Sequence, residues 1–255
     1  MTDKRKAALA SGAVEAMLDI ETLGTTVGSA ITSIGIALFD RKSRKIIDTL
    51  SIHLDLEDVM TYGMTVSGST LKFWAEQGDP PWKGTTKVVD ALLEVRRFLC
   101  VNETDEVNDK LLVWGNGAGF DQPLLRDLYE RAGLEAPWRW YNERCFRTFK
   151  NEHPLGKALE PRFIGRKHDA LDDAVHQAKW LINMANADAE VVTVAANNIA
   201  EQYRESGAGR SRVRSVLIAL WAMVFGALVG VGAAHLVSSN TEDAAYDQQS
   251  EVWRS

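Results

Sequence analysis

Three apolar, β-branched runs follow one another with only short connections between them: Val14–Leu23, Ile31–Phe39 and Lys45–Leu54. Val, Ile, Phe and Thr favour extended backbone, and connections this short join neighbouring strands only as hairpins. The chain is therefore expected to begin as a three-stranded antiparallel sheet. The period then changes. Ser67–Gln77 predicts a short helix, stopped by Pro80-Pro81. Thr85–Cys100 predicts an amphipathic one, with Val88, Leu92, Val95 and Leu99 at helical spacing. Leu111–Trp114 is a short buried strand, Phe120–Ala132 a helix ended by Gly133, and Asp169–Ala185 a helix capped by its first aspartate. Strands first, then strands alternating with helices, give an α/β class: a mixed sheet flanked by helices.

A second constraint lies downstream. Val216–Val237 runs for 22 positions without Asp, Glu, Lys or Arg. At about 1.5 Å per residue that spans a hydrocarbon core roughly 30 Å thick. Arg210, Arg212 and Arg214 precede it, and an acidic tail with Glu242, Asp243, Asp247 and Glu251 follows. A Lys/Arg excess marks the cytoplasmic side, so the expectation is a single-pass C-terminal transmembrane helix with the upstream domain in the cytoplasm. Gly226 and Gly230, with Ala222, form a small-residue row of the kind that lets helices pair, which allows a homodimer. The chain then reads as a polar arm (1–12), an α/β domain (13–187), a connector helix and basic hinge (188–215), the membrane helix (216–237) and a polar tail (238–255).

Composition narrows the chemistry. The net charge is −6. That excludes a uniformly basic nucleic-acid coat and leaves a local patch or bound metal to grip any phosphate. One such patch is Arg139 to Lys167, rich in Arg and Lys. Cys100 and Cys145 are far apart with no CxxC pair, so neither a disulfide framework nor a Cys-rich zinc site is encoded.

Three small constellations stand out. Asp19 and Glu21 sit at i and i+2 of the first strand, hence on one face of the sheet. Two adjacent carboxylates repel and are costly to desolvate, and a hard divalent cation removes both costs. The alternative is a strand end with both acids in water. Asp121 stands where the LLVW strand gives way to a helix, at the strand edge where α/β folds place ligands; it also suits an N-cap. His168 precedes the last helix of the domain, followed by Asp172 and Asp173 in its first turn, where acids also complement the helix dipole. Phe73 and Trp74 form a candidate base-stacking pair.

In this order, Asp-x-Glu, Phe-Asp and His-x4-Asp over about 155 residues resemble the DEDDh (DnaQ-like, RNase T-like) 3′→5′ exonuclease family. LDIETLGTTVGSAITSIGIALFD is especially similar to the RNase T-like branch of phage and bacterial enzymes, as are VWGNGAGFDQPLLRDLYERAGLEAPW and KHDALDDAVHQA. The resemblance covers roughly residues 14–186. It implies an RNase H-like fold, a five-stranded mixed sheet between helices. Asp19, Glu21, Asp121 and Asp173 match the family's four metal-binding acids, and His168 its general base. Thr22 and Leu23 match positions that hold the terminal nucleotide.

The chemistry agrees. Phosphodiester hydrolysis needs an activated water and stabilisation of the departing 3′-oxygen, which two Mg²⁺ or Mn²⁺ ions about 4 Å apart provide. A histidine can take the water's proton near neutral pH. The expected enzyme is a two-metal 3′→5′ exonuclease acting on single-stranded DNA or RNA 3′ ends and releasing nucleoside 5′-monophosphates. The competing class is a membrane-tethered, non-catalytic nucleic-acid-binding protein on the same fold, which would have no use for the full set of acids.

Overall fold

The computed structural model describes residues 9–10, 14–78, 80–100, 109–117 and 119–205. Of the polar arm (1–12), residues 1–8 and 11–12 lie outside them, as do the basic hinge from Ser206, the charge-free run 216–237 and the acidic tail. Among the described residues no helix is long and apolar enough to cross a membrane.

Five strands form one sheet: β1 (Glu15–Thr22), β2 (Ile31–Asp40), β3 (Lys45–His53), β4 (Val113–Gly115) and β5 (Glu143–Cys145). Their spatial order is β3-β2-β1-β4-β5. The first three pair antiparallel, with Asp19 opposite Gly35 and Leu38 opposite Asp48. β4 and β5 join parallel to β1. Among the described residues these α-helices accompany the sheet: α1 (Leu56–Thr61), α2 (Gly68–Gln77), α3 (Val88–Leu99), α4 (Asp121–Arg131), α5 (Phe146–Glu152) and α6 (Ala170–Glu205). This is the expected mixed sheet with helices.

Side-chain alternation along β1 sorts the core into two layers. Ala16, Leu18 and Ile20 face one cluster, which takes in Val88, Ala91, Leu92, Val95 and Leu99 of α3 and Leu124, Leu125 and Leu128 of α4. Met17 faces the other, with Ala37 and Phe39 of β2, Trp114 of β4, and Ala174, Ala178 and Leu181 of α6. Asp19 and Glu21 continue the Met17 face. They therefore emerge on the side of the sheet that α6 covers, close to where that helix starts.

Three elements were not legible in the sequence. α1, β5 and α5 are only six, three and seven residues long, too short for periodicity to register. They replace loop where the sequence offered no pattern. The last helix is also longer than expected. Instead of one helix ending near Ala185 and a connector starting at Glu190, α6 runs unbroken for 36 residues. The intervening Asn186-Ala187-Asp188-Ala189 holds no Gly or Pro, and its alanines favour continuation. The chain divides into two units, Met1–Asn186 and Ala187–Ser255, and the candidate site residues all lie in the first.

Candidate active site

β1 ends in a bulge. Its register with β2 shifts between Glu21, opposite Ser33, and Thr22, opposite Ile31, so the ladder is irregular directly after the second acid and ends one residue later. Asp121 enters from the neighbouring strand: β4 stops at Gly115, and α4 begins at Asp121. The Asp121 carboxylate does not cap its own helix. Its Oδ2 accepts the Asn116 N–H at 2.8 Å, and the side chain is buried. A Cβ on Gly115 would lie 2.8 Å from that Oδ2 and 2.5 Å from Gln122 Oε1, so only glycine leaves room for the acid here.

Asp173 arrives on α6. Asp169 caps this helix, its Oδ1 accepting the N–H groups of Leu171 and Asp172 at 3.1 and 3.2 Å. The helix start lies hard against the sheet at Gly35, where an added Cβ would come within 2.1 Å of the Ala170 carbonyl carbon. Gly35 is the cross-strand partner of Asp19. One glycine thus brings the first turn of α6 down beside the first acid.

The loop before α6 delivers His168. Gly165 has φ +111° and His168 φ +61°, both in the left-handed region, which costs a histidine but not a glycine. Two acids hold the loop in that shape. Asp172 Oδ2 accepts the Arg166 N–H at 2.7 Å, and Asp173 Oδ2 accepts the His168 N–H at 2.8 Å. Asp172 thus has its own place, bracing the loop, while Asp173 turns to the acids. One ligand-capable atom each from Glu21, His168 and Asp173 lies within 4.8 Å of the others. The exposed imidazole stands edge-on to Phe73 and Trp74, with ring centroids at 5.1 and 6.2 Å.

Crowding four carboxylates has an electrostatic signature. Burial, then the charges of Asp121 and Glu21, hold Asp19 well above the usual carboxylate range; the Gln177 amide pulls it back down. Burial, with Asp173 and Asp121, lifts Glu21 to about 8. Burial lifts Asp121 to about 7, opposed by the Asn116 and Ile20 N–H groups and by Arg147. Asp173 is raised by burial against the His168 N–H. Each acid resists ionising as it stands, and a divalent cation would offset the repulsion of such a cluster. An all-oxygen carboxylate set with an imidazole at its edge fits Mg²⁺ or Mn²⁺.

The cleft beside the acids, about 280 Å³, is lined by Ile20, Glu21, Thr22, Thr25, Phe73 and Phe120, among others. The four residues expected to touch substrate are placed unequally in it. Phe73 is exposed and faces the cleft. Trp74 is 4% exposed and donates its indole N–H to the Thr22 carbonyl at 3.0 Å, so it shapes the wall and is not half of a free stacking pair. Thr22 lines the cleft while its hydroxyl donates to the Gly24 carbonyl at 2.6 Å. Leu23 corrects the expectation outright. Its side chain is 1% exposed, its N–H donates to Ala30 and its carbonyl accepts from Ser67, leaving no apolar surface for a nucleotide.

Sequence reasoning passed over Gly35, Gly115 and Gln177. Gln177 is buried, and its Nε2 donates to Asp19 Oδ1 at 2.8 Å. The available signal was its position four residues after Asp173, on the same helix face. The basic stretch also resolves into parts. Arg139 pairs with Asp109 and Glu135, and Lys150 lies over the Trp180 ring at 4.7 Å. Arg147 remains exposed near Gly117, within the field of Asp121. His176 packs among Phe163 and Trp180 and lies 3.5 Å from Glu160.

The family model for the 3′-5′ exoribonuclease Rv2179c-like domain matches residues 14–185. No curated protein matches the sequence. Among solved structures, the chain is similar to cell-death related nuclease 4 (CRN-4), with 16% identity, a TM-score of 0.50, and 69% of this chain and 64% of that one covered. It is similar to the zinc-bound complex of E. coli ExoI with single-stranded DNA, with 12% identity, a TM-score of 0.50, and 72% and 43% covered. The nuclease domain of 3′hExo, a DEDDh family member bound to rAMP, matches at 15% identity and a TM-score of 0.49, with 69% and 92% covered. At these identities the likeness is one of fold.

Proposed function

We propose, from the premise that this chain belongs to the 3′-5′ exoribonuclease Rv2179c-like domain family, that it trims single-stranded 3′ ends and releases nucleoside 5′-monophosphates. The chain is a 3′–5′ exonuclease on an RNase H-like nuclease fold. The observation that carries the finer reading is the meeting of Asp19, Glu21, Asp121 and Asp173, from β1, α4 and α6, with His168 at their edge.

Asp19, Glu21, Asp121 and Asp173 would hold two divalent cations, Mg²⁺ or Mn²⁺. Such ions would supply offsetting charge for the scissile phosphate, a more acidic bound water and stabilisation of the departing 3′-oxygen. His168 takes the water's proton as the water oxygen bonds to phosphorus. The bond to the 3′-oxygen breaks with its electron pair, and that oxygen takes a proton from solvent water to become the new 3′-hydroxyl end. Phe73 offers its exposed ring to the terminal base, and Thr22 lines the same cleft. Arg147 is placed to meet a phosphate. RNA is the favoured substrate because the family's own description is of an exoribonuclease.

The charge-free run 216–237, preceded by Arg210, Arg212 and Arg214, supports a membrane anchor with the nuclease domain in the cytoplasm. Gly226 and Gly230 support pairing of two such helices. The deciding experiment is digestion of 3′-end and 5′-end labelled RNA and DNA with Mg²⁺ or Mn²⁺. Stepwise shortening from the 3′ end with mononucleotide release is expected. Internal cleavage, or activity undiminished by EDTA, would overturn the reading.

A further inference from the structure

Among the described residues, Gln177 is the buried side-chain amide whose hydrogen bond ends on one of the four acids. It is 6% exposed, and its Nε2 donates to Asp19 Oδ1 at 2.8 Å. Its own Oε1 is buried and accepts no hydrogen bond. An unpaired buried carbonyl destabilises the fold, so a packing role alone is a poor account of an amide at this position. Methionine or leucine would fill the same space without that cost. What the amide does supply is a fixed link between two elements. It projects from α6 one turn beyond Asp173, and it grips Asp19 on β1. The two acids reach the site on different elements, and the ladder hydrogen bonds of β1 place no constraint on α6. The close approach at Gly35 sets how near the helix comes. The amide sets how the Asp19 carboxylate is turned once the helix is there. With Oδ1 engaged by an N–H, rotation of the carboxylate is restrained, and Oδ2 is the oxygen that this amide leaves unengaged.

We propose that Gln177 is a positioning residue for the metal site: it locks the Asp19 rotamer and ties β1 to α6, so that Asp19 and Asp173 meet a divalent cation at fixed separation. This rests on the reading of the acids as metal ligands given above.

The test is calorimetric titration of Mn²⁺ into the metal-free full-length protein and its Gln177→Met, Gln177→Asn and Asp19→Asn variants, with steady-state kinetics on a labelled oligonucleotide. Met keeps the volume without a donor; Asn keeps the amide but falls one methylene short of Asp19. Both Gln177 variants are expected to bind Mn²⁺ roughly 10- to 100-fold more weakly, the usual effect of removing a ligand's hydrogen-bond partner. Their KM for the oligonucleotide should be unchanged, and excess Mn²⁺ should restore most of kcat. A variant that unfolds leaves the other to decide. Wild-type Mn²⁺ affinity in a folded Gln177 variant, while Asp19→Asn binds poorly, would overturn the proposal alone. Wild-type affinity in Asp19→Asn as well would instead remove the metal-site reading beneath it.

Discussion

His168 is held at φ +61° by an N–H bond to Asp173 and stands at the exposed edge of the acids. The carboxylate proposed to bind a cation thus fixes the proposed base, so the two roles are separable only by what each variant loses. His168→Ala is expected to lower kcat by roughly 10²–10⁴, the usual worth of general base catalysis, with Mn²⁺ affinity nearly intact. Asp173→Ala should lose both, measured by titration and turnover together. Equal loss of affinity in the two variants would make His168 a ligand. The raised acids carry a pH prediction as well. Glu21 at about 8 and Asp121 at about 7 are lifted by burial above their unfolded values. Between about pH 4 and 8 the native, metal-free protein therefore holds more protons than the unfolded chain, and its stability falls as pH rises through that window. Thermal melts in EDTA should give a higher Tm at pH 5 than at pH 8. Mn²⁺ competes with those protons, so its stabilisation should grow with pH. A metal-free Tm that climbs from pH 5 to 8 would contradict the burial of these acids.

At the scale of elements, the site depends on how closely α6 approaches the sheet. Gly35→Val places a side chain where an ideal Cβ is already 2.1 Å from the Ala170 backbone, so the helix start must lift. Misplacing reacting groups by an ångström can cost about 10²-fold, and a loss of that order in turnover is expected with the sheet still formed by circular dichroism. Leu92→Ala is the contrast. Leu92 is fully buried on α3, in the layer across the sheet from the acids. Truncating it should cost about 2–5 kcal/mol by denaturant unfolding while folded molecules keep their turnover. The two variants separate a site defect from a core defect.

For the whole molecule the open question is where the nuclease works. Full-length protein is expected to pellet with membranes and resist carbonate washing, whereas a chain ending near Ser206 should stay in the supernatant with full nuclease activity. Full-length protein that remains soluble without detergent would remove the anchor and leave Val216–Val237 to some other use. Because the truncation point follows Glu205, the end of the described helix, the sheet, α1–α5 and every site residue are retained.

Much of this was written locally in the chain. Strand period placed Asp19 and Glu21 on one face and helical period drew α3, because these signals are carried by residues a few positions apart, while the order of Asp-x-Glu, Phe-Asp and His-x4-Asp along about 155 residues pointed to the acids through a family resemblance. The short α1, β5 and α5 were illegible for the same reason, having too few residues for any period to repeat. Tertiary structure alone decided what depends on distance across the chain. It set the landing of α6 on Gly35, the burial of Leu23 and of Trp74 in the cleft wall, and the grip of Gln177 on Asp19, 158 positions away. Those contacts join elements whose separation is fixed by close packing of the whole core, and no local pattern of residues encodes that distance.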